Sequence, residues 1–177
     1  MKLKQGLIQV YTGNGKGKTT AAIGLGIRAL GRGLKVYMVQ FLKTSDTGEL
    51  HVIKNLDGFD IFRFERPRGF FWTLSDSDKI ELQKDIDKAM EFVKETIKNN
   101  SCDLLILDEV MGAIGNGLID KNELISLLKS KHESMEIVLT GRNVPQEIAE
   151  IANYISEINP VKHSFDEGIP ARKGIEF

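Results

Sequence analysis

The chain carries at residues 13–20 the stretch Gly13-Asn14-Gly15-Lys16-Gly17-Lys18-Thr19-Thr20, directly after the apolar run of residues 7–12. Its three alternating glycines let backbone N–H groups turn towards an anion without interference from Cβ atoms. A helix that begins near Thr19 adds the positive end of its dipole. Lys18 supplies a cation, and Thr19 supplies a hydroxyl suited to Mg²⁺. The stretch predicts a phosphate-binding loop between a strand and a helix; the alternative is a solvated turn rich in glycine and lysine.

The spacing of this loop departs from the usual P-loop pattern. That pattern has a glycine five residues before Gly17, where this chain has Thr12. If Gly13 is taken as the first glycine instead, the loop has one residue fewer before Gly17 than the usual pattern.

Length and composition predict one nucleotide-binding domain over residues 1–177 in a reducing compartment. The single cysteine, Cys102, rules out an internal disulfide and favours the cytoplasm. No apolar stretch has the length of a signal peptide or a membrane span. The net charge of −1 at pH 7 excludes a broad basic surface for nucleic acid. An anionic ligand must therefore be held locally.

Apolar runs alternate with helical patterns along the chain, which predicts an α/β fold with a mostly parallel sheet. We expect strands at residues 7–12, 36–41, 103–108, 136–140 and 154–158, and helices near 19–31, 78–98, 120–129 and 145–152. This is the pattern of an open P-loop (RecA-like) sheet with helices on both faces. Residues 44–55 and 65–78 are predicted to be long connections, and residues 161–177 an irregular tail.

Two carboxylates follow the buried-strand run of residues 104–107. Open α/β sheets bind ligands at the carboxyl ends of their strands, so Asp108 and Glu109 are expected to face Thr19 and a shared Mg²⁺. Either carboxylate can be the metal ligand. The alternative is that the pair caps the following helix.

Two arginines are candidates for binding phosphate. Arg142 follows the strand at 136–140 at the same sheet edge, and Arg28 lies near the end of the first helix. The alternative for each is a solvated surface charge, and the sequence does not separate these roles.

Three aromatic residues lie together in the sequence Gly69-Phe70-Phe71-Trp72. Such a cluster can simply close the core. If it is exposed near a nucleotide site, it predicts a flat apolar ligand. No combination of Ser, His, Asp or Cys suggests a protein nucleophile.

Taken together, the motifs resemble the bacterial ATP:corrinoid adenosyltransferases of the P-loop type over almost the whole chain. The resemblance rests on residues 13–20, Val39-Gln40-Phe41, Leu107-Asp108-Glu109, Thr140-Gly141-Arg142, residues 161–166 and the terminus at 173–177. It implies transfer of the 5′-deoxyadenosyl group of ATP to the cobalt(I) of a corrinoid. The products would be triphosphate and adenosylcobalamin or an adenosylated precursor.

The resemblance also implies roles for the candidate residues. The phosphate-binding loop, with Lys16, Lys18, Thr19 and Arg28, would hold ATP reversed relative to common kinases, so that C5′ faces outwards. Thr19 and Glu109 or Asp108 would hold Mg²⁺. Phe70 and Trp72 would cover the lower axial face of the corrinoid, which makes cobalt(II) easier to reduce. A homodimer and a flavoprotein reductant are further implications.

Residues 73–78 depart from the family pattern, which affects the expected range of substrates. Two alternatives remain at this point. A P-loop ATPase or small-molecule kinase would direct water or a hydroxyl to the γ-phosphate. A non-catalytic sensor would bind ATP and corrinoid without cleaving either.

Overall fold

A six-stranded parallel sheet forms the centre of the structure. The computed structural model describes residues 2–177. Its strands are β1 (Ile8–Thr12), β2 (Val36–Gln40), β3 (Phe59–Phe62), β4 (Leu104–Asp108), β5 (Glu136–Thr140) and β6 (Tyr154–Glu157). Their spatial order is β3-β2-β4-β5-β1-β6. Because all the strands run in one direction, the carboxyl ends of β1, β2, β4 and β5 meet at one edge of the sheet.

Helices connect the strands and cover both faces of the sheet. They are α1 (Lys18–Leu30), α2 (Gly48–Ile53), α3 (Asp76–Lys98), α4 (Val110–Gly115), α5 (Lys121–Lys129) and α6 (Gln146–Ile151), with short 3₁₀ helices at Phe71–Thr73 and Ser164–Glu167. Strand β4 shows how the two cores form. Leu104 and Ile106 pack into the cluster that contains α1. Leu105 and Leu107 pack into the cluster that contains α3. Side chains alternate between the faces of a strand, so one apolar run supplies both cores.

Helix α3 is amphipathic, and its apolar stripe binds it to the sheet. Leu82, Ile86, Ala89 and Val93 recur at helical spacing and are all buried. The Ser75 hydroxyl caps the helix by accepting a hydrogen bond from the Asp78 N–H at 3.1 Å. Within the described residues, neither α3 nor any other helix has both the length and the apolar character needed to cross a membrane.

The predicted fold class is confirmed, and the strand at residues 136–140 has the predicted bounds. Strand β3 and helices α2 and α4 were missed, as were the short 3₁₀ helices in the predicted connection 65–78 and the predicted irregular tail 161–177. Residues 44–55 are not simply a connection, since they contain α2. Strand β3 has only four residues, and α2 and α4 have six each, so none of them provides enough turns or alternations for a periodic signal. Isolated helices this short are unstable in water, so their formation depends on tertiary packing.

Cys102 provides a test of the core. The thiol is buried just before β4, and burial raises its pKa to about 12. We predict that the native protein reacts very slowly with an aromatic disulfide reagent near pH 8, because only the thiolate attacks. Unfolding in urea should restore ordinary reactivity, measured by absorbance. Release of a full equivalent of the coloured thiol within seconds from the folded protein would contradict this burial.

Candidate active site

The loop between β1 and α1 is shaped by its glycines. Gly13 and Gly17 have positive φ angles of 100° and 119°. A Cβ atom on Gly13 would lie 2.4 Å from the Ile158 carbonyl oxygen, and one on Gly15 would lie 2.7 Å from the same atom. The Gly15 N–H donates a hydrogen bond to that carbonyl at 2.7 Å. The loop therefore packs tightly against the chain that leaves β6, and side chains at these positions are excluded.

Lys18 spans the inside of this loop. Its side chain is largely buried, and Nζ donates hydrogen bonds to the carbonyl oxygens of Gly13 and Gly15, both at 2.8 Å. Burial lowers the pKa of the Lys18 ammonium, and the nearby positive charge of Arg142 lowers it further, against the opposing charge of Glu109. The first amides of α1 receive no side-chain cap from the described residues. They remain able to bind an anion.

Asp108 is the centre of a buried polar network at the end of β4. The residue is fully buried, and its two carboxylate oxygens accept four hydrogen bonds. Oδ1 accepts from the hydroxyls of Thr19 at 2.9 Å and Thr140 at 2.7 Å. Oδ2 accepts from Gln40 Nε2 at 3.1 Å and Lys43 Nζ at 2.7 Å. The network joins the ends of β2, β4 and β5 to the start of α1, so the predicted approach of Asp108 to Thr19 is present.

Glu109 occupies a different position from its neighbour. Its backbone is left-handed, with φ 60° and ψ 20°, and its N–H donates to the Thr140 hydroxyl at 2.9 Å. Such a conformation is strained for a residue with a Cβ atom and often marks a functional position. Glu109 lines the cavity at the phosphate-binding loop, and no hydrogen bond to its carboxylate is found among the described residues. Both predicted carboxylates thus lie at this edge of the sheet.

A cavity of about 440 Å³ lies over the phosphate-binding loop. Its walls include all seven predicted residues that follow Gly13 in the loop (residues 14–20), as well as Lys43, Glu109 and Arg142. The cavity is also lined by His163 and residues 174–177 of the tail. Lys16 Nζ pairs with Glu176 Oε1 at 3.0 Å, and hydrogen bonds from Arg172 hold the pKa of Glu176 at about 2. Arg28 is exposed and is not among the lining residues.

The aromatic loop does not close the core at two of its three positions. The Phe70 and Trp72 residues are 69% and 77% exposed, whereas Phe71 packs against the core. The Phe70 and Trp72 rings lie parallel within 3°, with centroids 4.8 Å apart. They line a second pocket of about 300 Å³, and Lys43 lines both this pocket and the first. The structure therefore brings the aromatic pair next to the phosphate-binding cavity.

A buried carboxylate anchors the aromatic loop to α3. Arg68 Nη1 donates to Asp85 Oδ2 at 2.9 Å, and Arg66 Nε lies 3.9 Å from the same oxygen. Burial alone would raise the pKa of Asp85, but the hydrogen bonds and charges of Arg68 and Arg66 outweigh it and hold the pKa below its usual value. Asp85 is a functional residue that the sequence patterns did not predict, and the available signal was a charged residue next to Ile86 on the apolar stripe of α3.

Comparison with known proteins agrees with this arrangement. The family model described as ATP:corrinoid adenosyltransferase BtuR/CobO/CobP matches residues 4–177. The chain belongs to the ATP:corrinoid adenosyltransferase family. The resemblance found in the sequence and the assignment to this class of enzyme are thereby confirmed. The ATPase, kinase and sensor alternatives are not favoured.

Curated relatives match over nearly all of the chain. A corrinoid adenosyltransferase of Escherichia coli is 34% identical over 177 residues, which cover 98% of this chain and 87% of that protein. One from a Sinorhizobium species is 36% identical, with 98% and 81% covered. A solved structure of a KaiC-like protein from Pyrococcus horikoshii has a TM-score of 0.54 at 16% identity and covers 89% of this chain and 74% of its own. That likeness supports the P-loop fold alone.

Three polar residues of the Asp108 network received no role from sequence reasoning. Gln40 and Thr140 belong to the motifs that carry the family resemblance, and each ends an apolar strand. The sequence feature that could have identified them is a polar residue at the carboxyl end of a buried strand. Lys43 has no comparable signal, because it lies in a loop and reaches Asp108 across 65 positions of sequence.

The anchor of the aromatic loop can be tested by Asp85→Asn. Removing one partner of a buried ion pair should lower the free energy of unfolding by about 3 kcal/mol at neutral pH, measured by urea titration. Because the folded pKa of Asp85 is depressed, its stabilisation is present above its unfolded pKa of about 3.9 and is lost as the pH falls through the folded value. The free energy of unfolding of the variant should therefore fall less steeply with decreasing pH in the acid range than that of the native protein.

The control for this test is Asp87→Asn on the same helix. Asp87 is exposed and should change stability by less than about 0.5 kcal/mol. Equal stability of Asp85→Asn and the native protein would show that the ion pair does not hold the loop.

Proposed function

We propose that both substrates of the adenosyl transfer meet at Lys43. In this reaction the 5′-deoxyadenosyl group of ATP passes to the cobalt(I) of a corrinoid, and triphosphate leaves. The observation that carries the proposal is the contact between the two pockets: Lys43 lines the phosphate-binding cavity and also the pocket of Phe70 and Trp72. A nucleotide in the first and a corrinoid over the aromatic pair would be direct neighbours.

The phosphate-binding loop would hold the triphosphate with C5′ facing the second pocket. The loop's backbone N–H groups would supply the anion site together with the start of α1, except that of Gly15, which is bonded to Ile158. Lys18, Thr19 and Thr20 lie on the wall of this site. Lys16 lies on the rim, where it would exchange Glu176 for a phosphate. Arg142 lines the cavity and would add a further positive charge. Arg28 stays a sequence prediction, because its exposed position outside the cavity lends it no support.

The residues around Asp108 suit a Mg²⁺ ion. The Lys43 ammonium lies 2.9 Å from the Thr19 hydroxyl oxygen and 2.7 Å from Asp108 Oδ2, so these two hard oxygens already hold a cation between them. The described residues contain no cluster of three His, Cys, Asp or Glu side chains suited to a metal. Thr19 and Asp108 would therefore share the ion with phosphate oxygens, and Glu109 would face it from the cavity wall. When bound, Mg²⁺ would neutralise charge on the departing triphosphate.

The chemistry would need position and electrostatics from the protein, with no catalytic base. The cobalt(I) electron pair would form the Co–C5′ bond as the C5′–O bond breaks, and the pair of that bond leaves with the triphosphate. No proton moves at the reacting carbon. The developing charge would be stabilised by Lys18, by the loop amides and by the helix dipole, which are in place beforehand. Orientation of the two substrates supplies the rest.

Phe70 and Trp72 would act on the corrinoid before the transfer. The two exposed rings stack on each other, so an outer face of the stack would meet the lower axial face of the macrocycle. Covering that face would exclude water and the base ligand, which leaves cobalt(II) four-coordinate and easier to reduce. The family resemblance further supports a homodimer and a flavoprotein reductant. The single buried thiol suits a reducing cytoplasm.

The products test the proposed reaction. ATP, Mg²⁺ and chemically reduced cobalamin should yield triphosphate and adenosylcobalamin in equal amounts, because attack takes place at carbon. Phosphorus NMR identifies the triphosphate, and the visible spectrum follows the corrinoid. Formation of only ADP and inorganic phosphate would refute carbon attack and favour a phosphotransferase.

Trp72→Ala tests the axial role. The rate from cobalt(II) should fall by at least about tenfold more than the rate from chemically supplied cobalt(I), because only reduction needs a covered axial face. Tyr154→Ala removes an exposed aromatic side chain from β6 and serves as the control, with both rates unchanged. Equal losses from cobalt(II) and cobalt(I) in the Trp72 variant would rule out the axial role.

A further inference from the structure

We propose that Lys43 is a placeholder cation, a residue whose ammonium occupies the metal position and yields it only when the nucleotide arrives. The inference rests on the proposed position of Mg²⁺ between Thr19 and Asp108. It adds a property of the protein itself: free divalent metal is kept out, and metal enters together with triphosphate. Metal binding and nucleotide binding are then coupled through one side chain.

The geometry of Lys43 is that of a bound cation. Nζ lies 2.7 Å from Asp108 Oδ2 and 2.9 Å from Thr19 Oγ1, which are the oxygens assigned to the metal. Asp108 is fully buried, and its other three donors, Thr19, Thr140 and Gln40, are uncharged. Among the described residues, Lys43 therefore supplies the one positive charge in direct contact with this carboxylate. A buried carboxylate without such a charge would be costly.

A divalent ion and the ammonium cannot occupy this position together. Their like charges would repel at a distance of a few ångströms in a site of low dielectric constant. Free metal must therefore displace Lys43 and gains only two protein ligands in return. Metal that arrives with ATP brings phosphate oxygens as further ligands, and the triphosphate provides a new partner for the displaced ammonium. The two ligands should accordingly favour each other's binding.

The side chain of Lys43 can leave without movement of the loop that carries it. It is 25% exposed and lines both pockets, so the ammonium can turn towards either. The loop is fastened on both sides. The Leu42 N–H donates to Glu65 Oε1 at 2.7 Å, and Arg63 donates to the Ser45 carbonyl at 2.6 Å. The exchange is thus confined to one flexible side chain.

The test measures Mn²⁺ binding by EPR in the absence of nucleotide. The native chain should bind Mn²⁺ weakly, whereas Lys43→Met should bind it at least about tenfold more tightly because the competing charge is gone. Lys43→Arg keeps the charge and should resemble the native chain. Lys16→Met removes a lysine from the same cavity without touching Thr19 or Asp108, and it should change the affinity less than about twofold. Equal affinities in the Lys43→Met and native proteins would overturn the inference.

A second titration, with ATP present and no corrinoid, separates this inference from the proposed metal site. Asp108→Asn should weaken Mn²⁺ binding to the ATP complex, while Lys43→Met should alter it by less than about threefold. If Asp108→Asn has no effect, the metal position and the placeholder role both fail. If it weakens binding but Lys43→Met leaves nucleotide-free affinity unchanged, only the placeholder role fails.

Thermal unfolding checks that the effect is not a loss of structure. A ligand that binds the folded state raises the melting temperature. Mn²⁺ alone should therefore raise the melting temperature of Lys43→Met, and of Lys43→Gln as a second neutral variant, but not that of the native chain. A purely structural role for Lys43 predicts lower stability in both variants with no gain from Mn²⁺, and that result would also overturn the inference.

Discussion

The buried carboxylate of Asp108 is the interaction on which the functional edge of the sheet depends. Its four hydrogen bonds come from the ends of β2 and β5, from the first turn of α1 and from the loop after β2. A carboxylate of this kind is stable only when each oxygen is satisfied and the charge is balanced. Thr19, Thr140, Gln40 and Lys43 are therefore held in place by one common partner.

This edge also brings two unlike surfaces together. The phosphate-binding loop leaves β1 and packs against Ile158, and the Gly15 hydrogen bond to that residue fixes one wall of the cavity. The aromatic loop follows β3 and is fastened to α3 through Arg68 and Asp85. One pocket presents loop amides and lysines, and the other presents the aromatic rings of Phe70 and Trp72. An adenosyl transfer requires both surfaces side by side, and Lys43 lies at their boundary.

Much of this arrangement was predictable from local patterns. The glycine and lysine spacing at 13–20 predicted the loop, and the apolar run before Asp108 predicted β4. The short elements α2 and β3 were not predictable, because they contain too few residues for a periodic signal. The sequence also left the role of the aromatic cluster open. Exposure excludes a core role for two of the three residues, since Phe71 packs against the core while Phe70 and Trp72 face solvent.

The sequence by itself determined the fold class, the family and the identity of most candidate site residues, because these depend on patterns within a few turns of chain. Tertiary structure alone decided which polar groups converge. Lys43 and Asp108 are 65 positions apart and meet only because β2 pairs with β4, with Gln40 in register with Asp108. Strand order is set by packing of the whole sheet. No local pattern encodes it, so the contact between the two sites could be seen only in the folded chain.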